Sequence, residues 1–250
     1  MKSTTDGCGC FPTGRHYPGI AHLLRVHVAG VADELAADAP WEGQRIAFLD
    51  TETTGRDSAT DRILEVGIII GEGGRVLERY NWLVNPGVPI PEAVSKIHGI
   101  TDEAVRDKPP LAAVAPEIVA ALRGAIPAAY NASFDRAFLR AEMARAGALA
   151  PAAGTRAPPA LREGIEWIDP LVWARFLQRE ERSKTLSEVA ARLGIKLENA
   201  HRASDDAEAA LLVMYALGRD ERVPRAYGQL IREQRRLARM QEEDFAKWRR

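Results

Sequence analysis

The sequence has almost no cysteine. Cys8 and Cys10 are its two, too few and too close together to build a disulfide framework. With His16, His22 and His27 they also lack the two tightly spaced ligand pairs of a structural zinc site, so no metal is expected there. No sign of charge prevails either: the formal net charge is −1, and no overall positive field draws nucleic acid to the chain. That balance does not exclude a phosphate substrate, because an enzyme can supply its positive charge with bound ions. Also missing are an apolar run of membrane length and an initial basic segment leading into an uninterrupted apolar one. These absences lead to the expectation of a soluble, cytoplasmic chain with no membrane partner. Hydrophobic residues, by contrast, make up 46% of the 250 positions, enough to bury a proper core.

Residues 1–44 read as an N-terminal extension. Gly7, Gly9, Pro12, Gly14, Pro18 and Gly19 keep its start irregular; Ile20, Leu23, Leu24, His27, Val28, Val31 and Leu35 then recur at helical spacing before Pro40, predicting one amphipathic helix. Residues 45–218 read as a single domain. Strands are predicted at its start, over 63–71 and over 75–84, with Glu72-Gly73-Gly74 as a tight turn, which makes an antiparallel meander. Helices are predicted over 111–122, from Asn131 to about 146, over 171–178, over 186–193 and up to Leu217, with short strands over 126–130 and 166–169. Residues 150–164, rich in Ala, Pro and Gly, read as a loop. The C-terminal segment 219–250 carries ten Arg/Lys against six Asp/Glu. It reads as a basic helical tail with Tyr227, Leu230, Ile231, Leu237, Met240 and Phe245 as a partial apolar face. Packing on the domain and contact with DNA or a protein partner are both open for it.

The chemistry gathers around Asp50-Thr51-Glu52-Thr53-Thr54-Gly55. Strand side chains alternate, so Asp50 and Glu52 point the same way, and two like charges at the end of a buried strand repel unless a cation joins them. Taken alone, the pair fits a solvated strand end better than a metal site. Asp135 opens a helix after a strand, a place where α/β sheets present ligand-binding groups, although a carboxylate there also serves the helix dipole. Near the last helix of the domain, Ala203, Ala207, Ala210, Leu211 and Met214 form one apolar stripe. Asp206 lies roughly 90° from its centre and Asp205 roughly 170° away, so Asp206 can reach a cleft while Asp205 faces water. His98, beside Gly99 in an apolar segment, is by itself weak evidence for any role.

Together these stretches resemble a known family. Asp50-x-Glu52-Thr53-Thr54-Gly55, Asn131-Ala132-Ser133-Phe134-Asp135 and His201-x4-Asp206 resemble, in order, the three motifs of the DEDDh (DnaQ-like) 3′–5′ exonucleases. Ile97-His98-Gly99-Ile100-Thr101 is similar to a further segment of the proofreading epsilon subunits of bacterial DNA polymerase III. The resemblance covers residues 44–218 and implies a ribonuclease-H-like α/β fold, a mixed five-stranded sheet flanked by helices. It implies an enzyme that shortens nucleic acid from the 3′ end and releases 5′-nucleoside monophosphates, with DNA favoured over RNA, in proofreading or repair. Asp50, Glu52 and Asp206 would hold one divalent ion, Asp50 would bridge to a second and Asp135 would support it, with Mg²⁺ or Mn²⁺ suited to the oxygen ligands. His201 would be the general base; Thr53 and His98 would neighbour the terminal nucleotide; Phe134 would stack on a base or belong to the core. A polymerase or other protein partner would attach through the termini. An RNA-trimming relative is the main alternative. A non-catalytic nucleic-acid-binding module is disfavoured because all five catalytic groups are present. Tyr130 stands where many relatives have His, a position outside those five groups.

Overall fold

A computed structural model describes residues 28–149, 154–197 and 202–248. Ile46–Thr53 (β1) pairs antiparallel with Ile63–Glu72 (β2), and β2 with Arg75–Leu83 (β3). Gly73 and Gly74, both at positive φ, form the tight turn between β2 and β3. The other edge of β1 takes Ile126–Ala128 (β4) in parallel, so the strand order is β3-β2-β1-β4. The expected meander is present.

Among the described residues the sheet has four strands, not the expected five. At the place of the fifth, Ile168 makes an isolated parallel bridge to Ala128. Its N–H donates to the Pro127 carbonyl (2.9 Å) and its carbonyl accepts from Ala129 N–H (3.1 Å). Pairing stops there because Asp169 caps, and Pro170 begins, the next helix at once. On the other side Glu166 N–H is already committed to the Gly30 carbonyl (2.8 Å).

The helices are Glu92–His98 (α1), Asp102–Val105 (α2), Leu111–Ala121 (α3), Ala132–Arg145 (α4), Pro170–Leu177 (α5), Leu186–Arg192 (α6), Ala203–Leu217 (α7) and Tyr227–Trp248 (α8). Alternation along β1 divides the core into two layers. Ile46 and Phe48 pack with α5, α6, α7 and α8. Ala47 and Leu49 pack with α3 and α4. Among the described residues no helix is long and apolar enough to cross a membrane.

Both terminal segments enter the first layer. Tyr227, Leu230, Ile231 and Leu237 of α8 are buried at helical spacing, and Trp41 stacks on Tyr215 with ring centroids 6.0 Å apart. Tyr227 N–H donates to the Ala39 carbonyl (3.0 Å) and Gly228 N–H to the Ala37 carbonyl (2.7 Å), tying the two segments together. The helix expected to reach Leu35 is not found over residues 28–39. These run through turns such as Val31 N–H to the Val28 carbonyl (2.9 Å). Gly30, at φ 96°, turns the chain off a helical path, and a Cβ there would come within 2.6 Å of Glu166 Cγ. The earlier part of that helix and the Cys8, Cys10, His16, His22 and His27 set lie outside the described residues.

Candidate active site

Strand parity assigns the acids their faces. Asp50 and Glu52 follow Ile46 and Phe48 onto the α7 side of the sheet, where Asp206 projects from the first turn of α7. Asp50, Glu52 and Asp206 are each half-buried, and one carboxylate oxygen from each lies within 4.8 Å of the other two. The close approach of α7 depends on Gly67, which pairs with Asp50 across the ladder. A Cβ at Gly67 would lie 2.3 Å from the Ala203 carbonyl carbon and the Ser204 nitrogen, so only a bare backbone leaves room for the start of that helix. Ala203, Ala207, Ala210, Leu211 and Met214 are all buried, as their stripe requires. Asp205 is half-buried and faces the positive charges of Arg79 and Arg202, not open water alone.

The intervening residue, Thr51, points to the opposite face and meets α4. Its hydroxyl donates to Asp135 Oδ1 at 2.8 Å, and Asp135 is 3% exposed. Asp135 thus comes to the strand end from the far side of the sheet. Its helix starts at Asn131, held in the left-handed region (φ 67°, ψ 50°), and Asn131 makes no side-chain cap bond. The cap comes from Asp169 instead, which accepts the N–H groups of Asn131 and Ala132 at 3.0 Å each.

Burial and crowding make these carboxylates reluctant to ionise. Asp50 is pushed well above the usual range, first by burial and then by the charges of Asp135, Asp206, Glu52 and Glu65. Glu52 rises to about 8 for the same reasons, with Arg202 opposing. Burial lifts Asp135 to about 7 against the pull of its hydrogen bond from Thr51. Such a set of oxygen donors with unbalanced charge fits a hard divalent cation.

Two residues of the site carry no motif signal. Glu65, fully buried on β2 and paired with Glu52 across the ladder, accepts from Asn81 Nδ2 (2.8 Å), Ala203 N–H (3.2 Å) and both Nε and Nη2 of Arg202. Arg202 is the residue just before α7. A glutamate in an otherwise apolar strand run is the signal that marks the pair.

The remaining expected groups lie as follows. Thr53 donates its hydroxyl to the Gly55 carbonyl (2.6 Å) and so braces the turn after the acids. His98 ends α1, is 6% exposed and accepts the Ile100 N–H on Nδ1 (3.0 Å), which in the neutral ring puts the proton on Nε2. Phe134 is half-buried, its ring 4.8 Å from that of Phe138, with one side in the core layer of α3 and α4. Tyr130 donates to the Lys184 carbonyl and so ties down the turn before α6. His201 lies outside the described residues.

An open mixed sheet with carboxylates converging on the end of its first strand, from that strand and from two helices on opposite faces, defines an exonuclease domain. The chain belongs to the RNase_T exonuclease family, whose model matches residues 47–214. Within it the chain is DnaQ-like. It is 33% identical over 193 residues to the PolC-type DNA polymerase III of Thermotoga petrophila, a match covering 76% of this chain and 13% of that protein. It is 30% identical over 166 residues to the DNA polymerase III subunit epsilon of Treponema pallidum, covering 66% of this chain and 73% of the subunit. The fold is similar to that of the zinc-bound E. coli exonuclease I complex with single-stranded DNA, with a TM-score of 0.61 at 23% identity, covering 75% of this chain and 43% of that one.

Proposed function

We propose that this chain hydrolyses DNA from the 3′ end, one nucleotide at a time, releasing 5′-nucleoside monophosphates with two divalent ions, Mg²⁺ or Mn²⁺. The observation that carries this reading is the convergence of Asp50, Glu52 and Asp206 within 4.8 Å. Three acids so close, in a setting that raises the first two above their ordinary ionisation range, call for a cation. Asp50, Glu52 and Asp206 would hold one ion, and Asp50 and Asp135 the other. When bound, the pair would stabilise the attacking and leaving oxygens of an in-line displacement.

The chain's own groups would orient and move protons. Thr51 holds Asp135 against the strand. His201 would take the proton of the attacking water on an imidazole nitrogen, a role suited to a reference pKa of about 6.5. His98 and Thr53 would border the terminal nucleotide, and the outer side of Phe134 would stack on its base. DNA is favoured over RNA by the kinship with DNA polymerase III subunits and by the single-stranded DNA in the exonuclease I complex. The same kinship supports a polymerase or other protein partner.

Purified protein and Asp50→Ala, given 3′-labelled or 5′-labelled DNA and RNA oligonucleotides with Mg²⁺, Mn²⁺ or EDTA, test the reading. The expected result is metal-dependent shortening from the 3′ end that the variant lacks. Equal digestion by the variant overturns it, and faster digestion of RNA reassigns the substrate.

A further inference from the structure

Gln234 sits on α8, 99 positions along the chain from Asp135, yet hydrogen bonds link it through Asp169 to the start of the helix that carries Asp135. The side chain is 5% exposed and uses both ends of its amide. Oε1 accepts from Asp169 N–H (2.9 Å) and from the Trp173 indole (3.2 Å), while Nε2 donates to the Trp167 carbonyl (2.8 Å). The amide therefore grips the backbone of residues 167–169 at two points. That grip matters because, among the described residues, this segment has no strand neighbour beyond the single bridge of Ile168 to β4. Asp169, so held, spreads its carboxylate over the N–H groups of Asn131, Ala132 and Leu171. The first two are the unpaired donors at the start of α4, and Asn131 keeps its left-handed backbone only while something outside the helix secures it. Asp135 lies one turn further on.

The structure assigns to Gln234 the role of a positioning residue for Asp135, acting through Asp169 and the first turn of α4. The inference rests on the exonuclease reading above and adds the C-terminal helix to the machinery of that site. A shift of residues 167–169 would release the start of α4 and let Asp135 drift from Thr51, whereas Asp50, Glu52 and Asp206 are held by other elements and would stay.

The test is Gln234→Met in the full chain, which keeps the length of the side chain and removes its hydrogen bonds. Leu237→Ala, buried on the same helix, is the control for simple loss of stability. Amide hydrogen exchange at Asn131 and Ala132 should quicken in Gln234→Met and not in Leu237→Ala. With Mn²⁺ and a single-stranded oligonucleotide, kcat should fall about 10- to 100-fold with KM changed less than about 2-fold. In an Asp135→Asn background the same substitution should lower kcat by less than about 2-fold further, since the group it positions is already lost. Unchanged exchange at Asn131 and Ala132 overturns the inference, as does a kcat loss that persists in full with Asp135→Asn or is matched by Leu237→Ala. Should the wild-type protein prove inactive on every oligonucleotide, the exonuclease reading fails on that result, and the exchange experiment still decides whether Gln234 secures α4.

Discussion

Arg202 closes its guanidinium on Glu65, a carboxylate with no exposure to water, one position before α7 begins. Glu65 also accepts Ala203 N–H, the first amide of that helix. A single buried acid thus fixes the start of the element that delivers Asp206. The arrangement also explains why Arg202 only partly offsets the charge of Glu52: its guanidinium is already committed across the strand.

Loss of this clamp should reach the site. In Glu65→Gln the Arg202 fork loses its charged partner while the side chain keeps its shape. Arg202 is about half exposed, so solvent screens the pair, and a double-mutant cycle with Arg202→Met should give a coupling of about 1 kcal/mol in urea denaturation. The kcat on a 3′-ended oligonucleotide should fall about 10-fold or more, as for other groups that orient metal-binding residues. A stability loss with unchanged kcat would make the clamp structural only.

Strand parity alone puts Asp50 and Glu52 on one face, because alternation along a strand needs no knowledge of its neighbours. The helical stripe of α7 likewise selects Asp206 over Asp205. Contacts distant in sequence are another matter. Nothing in the residues around Thr51 says that its hydroxyl meets Asp135, a pairing across 84 positions. Gly67 and Gly71 look like ordinary members of a β-rich run until α7 lies against them, with Leu211 and Tyr215 crowding Gly71. The apolar face of α8 is readable, but Tyr227, Leu230 and Ile231 carry no mark of the layer that buries them. The missing fifth strand has a local cause that a β-propensity reading of Trp167 and Ile168 overlooks, the cap and proline at Asp169-Pro170.

The raised carboxylates set a pH dependence for the metal-free fold. Glu52 and Asp135 ordinarily ionise near 4.5 and 3.8, as in an unfolded chain, but are lifted to about 8 and about 7 in the fold. Between those limits the fold keeps protons that the unfolded chain releases, so this contribution to stability is complete at low pH and is lost as pH rises through the folded values. In EDTA the melting temperature should therefore decline from about pH 5 to about pH 8, and Glu52→Gln, which leaves one fewer raised carboxyl to ionise, should decline less than wild type over that range. Added Mn²⁺ should stabilise the wild type more as pH rises, since ionised carboxylates are the form it binds. Thermal melts across that range with and without Mn²⁺ check all three points. A wild-type Tm in EDTA that climbs steadily toward pH 8 would contradict this account of Glu52 and Asp135.

Gly67 offers the sharpest steric test, because the site needs an absence of side chain there. In Gly67→Ala the added methyl would meet backbone atoms of Ala203 and Ser204 at 2.3 Å, and backbone cannot swing aside as a side-chain tip can. The start of α7 must lift, carrying Asp206 away from Asp50 and Glu52. Overpacking of this kind costs about 1 to 3 kcal/mol, and the misplacement of a catalytic carboxylate by about 1 Å can cost about 100-fold in rate. Gly43→Ala, where nothing among the described residues lies within 4 Å of the new methyl, is the matched control and should stay within about 0.5 kcal/mol of wild type. Urea denaturation measures the first effect, and Mn²⁺ titration with kcat measures the second. If Gly67→Ala loses stability yet binds Mn²⁺ and turns over as the wild type does, then Asp206 does not depend on the contact between α7 and β2, and the geometry proposed for the metal-binding acids is wrong at that point.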